Sequence, residues 1–271
     1  MRPHPLNHAF EWRPVSGPLQ FLTDDQAHHY DEQGYVLIEE AFDDDTIDRV
    51  TAAIDPLEQH QEEWLRQEGG TFLISRADEI TFSTHLVLTS EVLRQFARSP
   101  VLLGLCADLI GPEVRLYWDQ AVYKKPHTTS TFPWHQDNGY AFIDPQQYLT
   151  CWIALSDVDE ENGCPWVVPG AHRHGTLAHD ITRHGLVCLE DPAGAVPVPA
   201  ARGGMVVFSS LTPHSTGANR TSEVRKAYIA QYAPDGAEVV HVDGDGRETR
   251  VAADDPGRQF RVLERGRPVP A

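Results

Sequence analysis

After Gly111 the chain is a succession of short segments rich in β-branched and aromatic residues. Clusters of Gly, Pro, Asn and Asp separate these segments, and such clusters form turns between strands. Many short strands joined by turns are typical of an antiparallel sandwich or barrel. We therefore predict a β core, with strands near residues 114–123, 149–155, 165–168, 186–189, 205–208 and 226–232.

The first 110 residues have a helical pattern instead. Thr23 is followed three residues later by Gln26, which is the spacing of a capping box, so a helix should begin there and end at Gly34. Apolar residues recur at helical spacing over 43–67, and a second helical zone covers 83–109.

Helices that precede a β core are typical of a mainly β fold with flanking helices. A chain of 271 residues can form one large core. We expect a single domain, 1–271, in which an N-terminal helical part (about 22–111) packs on a β core (about 112–235).

The charge of the chain limits its partners. A formal net charge of -18 repels phosphate backbones and anionic lipid, so nucleic acid and membrane surfaces are poor candidates. The four cysteines form no CxxC pair, which favours reduced thiols in a cytoplasmic protein. We expect a small-molecule substrate, and the sequence leaves the oligomeric state open.

A His-x-Asp motif occurs three times, beginning at His29, His135 and His241. On a strand, residues i and i+2 point to the same side, so both side chains can reach one metal ion. His29 lies in a predicted helix, and no histidine follows His241 to complete a site. Only His135 and Asp137 follow a strand-rich stretch and have a partner downstream, His214.

Two histidines and one carboxylate on one face of iron leave the opposite face open for a co-substrate and O₂. Arg225 follows His214 by eleven residues and opens a predicted strand. 2-Oxoglutarate chelates iron through its 2-oxo acid end, and its far carboxylate needs a cationic partner. Arginine suits that role because its guanidinium binds carboxylate in a bidentate manner.

Four segments now define a resemblance. They are Gly34-Tyr35-Val36, Trp134-His135-Gln136-Asp137, the block Glu161–His172, and His214-Ser215 followed by Arg225. Over about residues 22–232 the chain resembles the phytanoyl-CoA dioxygenase family of Fe(II)- and 2-oxoglutarate-dependent oxygenases. Ala171 stands where the family usually has serine.

The resemblance implies a double-stranded β-helix, a jelly-roll or cupin-like fold. It also implies an oxidoreductase that uses Fe(II), 2-oxoglutarate and O₂. Such an enzyme hydroxylates or otherwise oxidises an aliphatic C–H bond of a small organic substrate, with release of succinate and CO₂. The residues implied are His135, Asp137 and His214 as catalytic metal ligands, and Arg225, Gln120, Lys124, Thr216 and Trp152 around 2-oxoglutarate.

Specificity is less well indicated by the sequence. Trp134, Tyr140 and Phe142 flank the metal motif and are candidates for the substrate site, whereas ordinary packing explains aromatic residues equally well. Segments 57–89 and 140–147 are expected to form lids, which commonly set specificity. No motif identifies the substrate or the oxidative outcome.

Two other functions remain open from the residues themselves. One is a cupin-like metal-dependent enzyme that does not use 2-oxoglutarate, which Arg225 disfavours because such an enzyme needs no carboxylate clamp. The other is a non-catalytic binding protein on the same barrel. The intact triad disfavours this reading, because a pure binder does not need a metal site with open positions.

Overall fold

The computed structural model describes residues 1–8 and 10–270. The helices are α1 (Asp24–Gln33), α2 (Asp44–Gln67), α3 (Glu91–Phe96), α4 (Pro100–Leu109) and α5 (Asp137–Tyr140), with short 3₁₀ segments at Leu86–Leu88 and Ala171–His174. The strands are β1 (Tyr35–Ile38), β2 (Thr71–Phe72), β3 (Ser75–Arg76), β4 (Ile80–Thr84), β5 (Val114–Lys124), β6 (Phe132–His135), β7 (Phe142–Asp144), β8 (Leu149–Ala154), β9 (Pro165–Val167), β10 (Asp180–Thr182), β11 (Gly185–Val187), β12 (Val196–Pro197), β13 (Met205–Ser209), β14 (His214–Thr216), β15 (Arg225–Pro234), β16 (Glu238–Val242), β17 (Glu248–Ala252), β18 (Arg261–Glu264) and β19 (Arg267–Pro268).

Two antiparallel sheets form the centre of the molecule. The larger has the order β1-β13-β8-β15-β5-β4-β3-β2, with β18 also paired to β5, and the smaller has the order β12-β9-β14-β6. One apolar cluster joins them: Val122, Trp152 and Ile229 of the larger sheet pack with Phe132 and Val167 of the smaller. The two sheets therefore face each other across a shared interior.

The helices cover the other face of the larger sheet. Tyr228 and Tyr232 of β15 belong to a second cluster that also contains Ile47 and Ile54 of α2 and Leu102 of α4. Side chains alternate along a strand, and Ala227 and Ile229 accordingly belong to the cluster between the sheets. Arg225 precedes Ala227 by two residues, so its side chain lies on the same face of the strand and points into the interior.

Helix α1 begins at the predicted capping box and ends at Gly34, beside His172. Its predicted capping box is present: the Thr23 hydroxyl accepts from the Gln26 amide at 3.2 Å, and the Gln26 side chain accepts from the Thr23 amide at 3.0 Å. Gly34 ends the helix with φ +81°, a region that favours glycine. A Cβ at Gly34 would lie 2.3 Å from Nδ1 of His172, so both the backbone and the packing require glycine.

Two regions differ from the prediction. Residues 83–84 belong to β4 rather than to a helix, because β4 pairs with β5 along its whole length and buries Ile80 and Phe82 between the sheets. The sheets also continue beyond residue 235, where the predicted β core ends: β16 pairs with β17 and with β7.

Within 1–8 and 10–270, no helix combines the length and the apolar character that crossing a bilayer requires.

Candidate active site

The three predicted metal ligands converge where β6 and β14 of the smaller sheet pair. Strands β6 and β14 are antiparallel neighbours, and their register places His214 directly opposite His135. Asp137 follows as the first residue of α5. Its Oδ1 lies 3.9 Å from Nε2 of His135 and 3.8 Å from Nε2 of His214.

Neighbouring groups hold these side chains in position. Nδ1 of His135 lies 2.9 Å from the Pro133 carbonyl, and Nδ1 of His214 lies 3.0 Å from the Thr212 carbonyl. A carbonyl can only accept, so each Nδ1 is protonated and each Nε2 keeps its lone pair for a metal. Thr150 Oγ1 donates to the other carboxylate oxygen of Asp137 at 2.5 Å.

Burial sets the charge of the cluster. It lowers the pKa of His135 to about 3 and that of His214 to about 4, so both rings are neutral at neutral pH. Burial raises the pKa of the Asp137 carboxyl, and the nearby His135 partly opposes this rise. Two neutral imidazoles and one carboxyl with converging donor atoms match the facial triad of non-haem Fe(II) sites.

The other two His-x-Asp motifs do not form such a cluster. His29 lies in α1, and His241 is exposed on β16. Among the residues that the structure describes, His135, Asp137 and His214 are the one group of three or more His, Cys, Asp or Glu side chains placed to hold an ion.

A narrow inner cavity leads from the triad into the space between the sheets and reaches Arg225. The Arg225 side chain is 1% exposed, and Nη1 donates to the Val122 carbonyl at 3.3 Å. Its Nε and Nη2 are buried and have no hydrogen-bond partner in the described chain. Burial lowers the pKa of Arg225 to about 10, so the group is still cationic at pH 7.

A buried cation with unpaired donors is costly unless a ligand compensates it. A carboxylate can accept two parallel hydrogen bonds from one guanidinium. The inner cavity therefore fits a dicarboxylic acid that reaches the triad at one end and Arg225 at the other.

The remaining residues predicted around 2-oxoglutarate separate into two groups. Gln120, Trp152 and Thr216 line the inner cavity, and the Trp152 ring centre lies 5.4 Å from the Arg225 guanidinium. Lys124 is not part of the lining. It is 1% exposed, and its Nζ donates to the Thr216 hydroxyl at 3.2 Å and to the Gly217 carbonyl. It thus ties the segment after His214 to β5.

An outer cavity of about 770 Å³ opens on the other side of the triad. It shares Phe82, Gln120 and Phe132, together with His135 and Asp137, with the inner cavity. Both segments predicted as lids contribute to its lining: 60–84 through α2 and the β2–β3 hairpin, and 140–141 after the metal motif.

Of the three predicted substrate residues, only Tyr140 lines the outer cavity. Trp134 precedes His135 on β6, so strand alternation turns its side chain to the opposite side, and it lines neither the outer nor the inner cavity. Phe142 is also absent from both linings. Its ring stacks on His4 at 4.9 Å, and its strand β7 pairs with β16.

Several lining residues were not predicted. Thr150 could have been inferred from its position two residues before Trp152, on the same face of β8. Tyr117 on β5, Gln231 on β15 and Tyr148, which directly precedes β8, carry no sequence signal. They come together only when these three strands pair.

The chain matches the family model described as phytanoyl-CoA dioxygenase (PhyH) over residues 30–227. It is 25% identical over 273 residues to the peroxisomal phytanoyl-CoA dioxygenase of Rattus norvegicus, a match that covers 87% of this chain and 80% of that protein.

Two solved structures are similar to the chain. One is SnoK, described as a non-heme alpha ketoglutarate dependent carbocyclase from nogalamycin biosynthesis, with a TM-score of 0.66 and 25% identity over 82% of this chain and 89% of that one. The other is EctD from S. alaskensis, crystallised with 2-oxoglutarate and 5-hydroxyectoine, with a TM-score of 0.70 and coverage of 88% of this chain and 84% of that one. At 21% identity the second likeness is one of fold. The mainly β jelly-roll class expected from the sequence is confirmed.

Proposed function

Because the chain belongs to the phytanoyl-CoA dioxygenase family and is an Fe(II)- and 2-oxoglutarate-dependent oxygenase, we propose that its iron is held by His135, Asp137 and His214. Their donor atoms all lie within 4.8 Å of one another. Both rings have their Nδ1 bonded to backbone carbonyls. Each histidine therefore binds through Nε2, and Asp137 binds through the oxygen that faces both rings.

We propose that Arg225 binds the far carboxylate of 2-oxoglutarate. One observation carries this assignment: two donors of a fully buried guanidinium are unpaired at the end of a cavity that begins at the triad. Thr216 and Trp152 line the walls between these ends. Gln120, like Phe82 and Phe132, borders both cavities, so it lies where the co-substrate site adjoins the outer cavity.

Bound iron and 2-oxoglutarate supply the activation of O₂ that oxidises a C–H bond, with release of succinate and CO₂. The protein residues position the groups and exclude water. Thr150 fixes the orientation of the Asp137 carboxylate through its 2.5 Å hydrogen bond. Burial keeps both histidines neutral at neutral pH, so protons do not compete with the metal there.

The cupin-like alternative without 2-oxoglutarate leaves Arg225 unexplained. Such an enzyme would carry an unpaired cation in its interior, which costs several kcal/mol. A binding protein on the same barrel has no reason to place Nε2 of two histidines and a carboxylate oxygen around one point.

The test is an anaerobic titration of metal-free protein with Fe(II) and then 2-oxoglutarate, followed by the visible metal-to-ligand charge-transfer band. We expect the band in the wild type and no band in His135→Ala. Arg225→Ala should need at least about 30 times more 2-oxoglutarate, because losing one partner of a buried charge pair costs about 2 kcal/mol or more.

Two variants are matched controls. His241→Ala removes the histidine of an exposed His-x-Asp motif, and Arg250→Ala removes an exposed arginine on β17. Both should titrate like the wild type. Iron binding without a band in the wild type would exclude the co-substrate site, and a normal band in His135→Ala would exclude the metal assignment.

We also propose that the chain forms one domain, because a single core cluster joins the helices to the larger sheet. We propose a cytoplasmic location, which the four cysteines support because all are free thiols. Fractionation followed by immunoblotting would test the location. The strongly acidic charge supports a small-molecule substrate rather than nucleic acid.

A further inference from the structure

The outer cavity is unusually aromatic. Eight of its nineteen lining residues are Phe, Trp or Tyr, whereas these residues make up 9% of the chain. Trp64 of α2 packs edge-on against Phe72 of β2, with ring centres 5.0 Å apart. Trp118 contributes to the lining from β5. Flat, rigid aromatic walls favour ligands that are themselves broad and apolar, such as fused rings.

Within the described chain, the walls of the cavity offer no lysine or arginine side chain to an anion, and Asp137 is their one carboxylate. The basic side chains on the bordering segments, Arg66, Arg76 and Lys125, are each ion-paired to a carboxylate. An anionic ligand would therefore lose its water without gaining a partner, which is unfavourable.

Three uncharged polar groups stand near the triad. Tyr117 and Tyr148 line the cavity with Gln231, and the two tyrosine rings lie 5.5 Å apart. Across the described residues, neither tyrosine hydroxyl makes a hydrogen bond. Burial raises the pKa of Tyr117 to about 12 and raises that of Tyr148 well above its usual value. Both remain neutral donors at any physiological pH.

We propose that the substrate is an uncharged, fused-ring organic molecule whose ring system lies between Trp64, Phe72 and Trp118. A carbonyl or hydroxyl oxygen of this molecule accepts hydrogen bonds from Tyr117 and Tyr148. This inference rests on the proposed oxygenase function, because it takes the outer cavity to be the substrate site. It excludes ligands that carry a carboxylate, sulfonate or phosphate into the cavity.

The first test uses two fluorescent probes that differ only in charge. N-phenyl-1-naphthylamine is neutral, and 8-anilino-1-naphthalenesulfonate is the same ring system with a sulfonate. Both brighten in apolar sites, and both are titrated into metal-free protein. We expect the neutral probe to bind at least about tenfold more tightly, a difference of about 1.4 kcal/mol.

Thr84→Lys tests whether the probes occupy the outer cavity. Thr84 is exposed and lies in the lining, so a lysine there adds a cation at the wall. We expect the sulfonate probe to bind about tenfold more tightly in this variant. The matched control is Thr249→Lys, at an exposed position on β17 outside the cavity, and it should change neither affinity.

Progesterone, an uncharged four-ring diketone, tests the polar wall. Its affinity is measured by displacement of the neutral probe, which has no oxygen. Tyr148→Phe and Tyr117→Phe should each weaken progesterone about five- to tenfold, the effect of one lost hydrogen bond, and should leave the neutral probe unchanged.

Equal affinity for the two naphthylamine probes, or no effect of Thr84→Lys, would overturn the neutral-ligand assignment. Unchanged progesterone binding in both tyrosine variants would overturn the oxygen contact. These assays contain no metal, so their failure is distinct from failure of the proposed function, which the charge-transfer band reports independently.

Discussion

Replacing Arg225 with methionine is expected to stabilise the ligand-free protein and to remove most of the stabilisation that 2-oxoglutarate gives. In the wild type, Nε and Nη2 of this side chain are buried without partners, and each such donor costs about 1–3 kcal/mol. Methionine has a similar length and no donors. It gives up the 3.3 Å hydrogen bond to Val122 and the contact with Trp152, which together contribute about 2 kcal/mol.

The two unpaired donors together cost about 2–6 kcal/mol, so the net expectation is a rise of up to about 4 kcal/mol in the free energy of unfolding of the ligand-free protein. For a chain of this size, each kcal/mol raises Tm by about 2 °C. Arg225→Met should therefore melt up to about 8 °C above the wild type when 2-oxoglutarate is absent.

Adding the co-substrate should stabilise the wild type far more than the variant. At 100 times its Kd, a ligand stabilises the wild type by about 2.7 kcal/mol. Losing the contact between Arg225 and the far carboxylate costs about 2–5 kcal/mol of binding. The same concentration should then stabilise the variant by less than about 1 kcal/mol.

Thermal unfolding followed by circular dichroism, under nitrogen with Fe(II), measures both effects. Arg250→Met is the control, because Arg250 is exposed on β17 and pairs with carboxylates outside the site. It should retain the wild-type response to 2-oxoglutarate. If Arg225→Met melts below the wild type without ligand, the buried guanidinium stabilises the ligand-free protein and the reasoning is wrong. If the variant keeps the ligand-induced rise, the carboxylate binds elsewhere.

Three further outcomes are expected. Thr150→Val removes the hydrogen bond that orients Asp137 and should weaken Fe(II) about tenfold in a metal titration, without loss of secondary structure. Gly34→Ala should lower the free energy of unfolding, measured in urea, by more than about 3 kcal/mol, because strain at positive φ adds to a clash with His172. Gly236→Ala, at φ +88° in open space, should lower it by about 1–2 kcal/mol. Burial lowers the pKa of His172 in the folded protein to about 4. As pH falls below 6.5, this side chain is therefore protonated in the unfolded chain before it is protonated in the folded protein. The stability that neutral His172 contributes is present above pH 6.5 and is lost towards pH 4. The difference in free energy of unfolding between the wild type and His172→Asn, measured in urea, should therefore shrink over that range. A difference that stays constant with pH would contradict the lowered pKa of His172.

Much of the candidate site could be predicted because its rules are local. The capping box at Thr23 and the end of α1 at Gly34 depend on residues a few positions apart. The His-x-Asp spacing at His135 needs only the geometry of one short segment. Strand parity places Arg225 in the interior once its strand is predicted. The metal and co-substrate roles of these residues stay predictions until the titration is made.

Strand order and packing decide the rest. Lys124 has the same parity as Gln120, but its Nζ donates to the Thr216 hydroxyl and the Gly217 carbonyl and does not line the inner cavity, because the turn after β14 passes beside it. Residues 83–84 carry no strand signal strong enough to outweigh the helical pattern around them. They become a strand because β5 offers them an edge to pair with.

The sequence alone predicted the fold class, the metal motif and the candidate carboxylate clamp, because strand periodicity and ligand spacing depend on residues close together in the chain. Only the tertiary structure decided the shape and lining of the outer cavity. Its walls come from α2, the β2–β3 hairpin, β5 and β15, and no sequence spacing relates these segments. Their meeting depends on sheet order and on the helix packed above the sheet, which are set by the burial of the whole core.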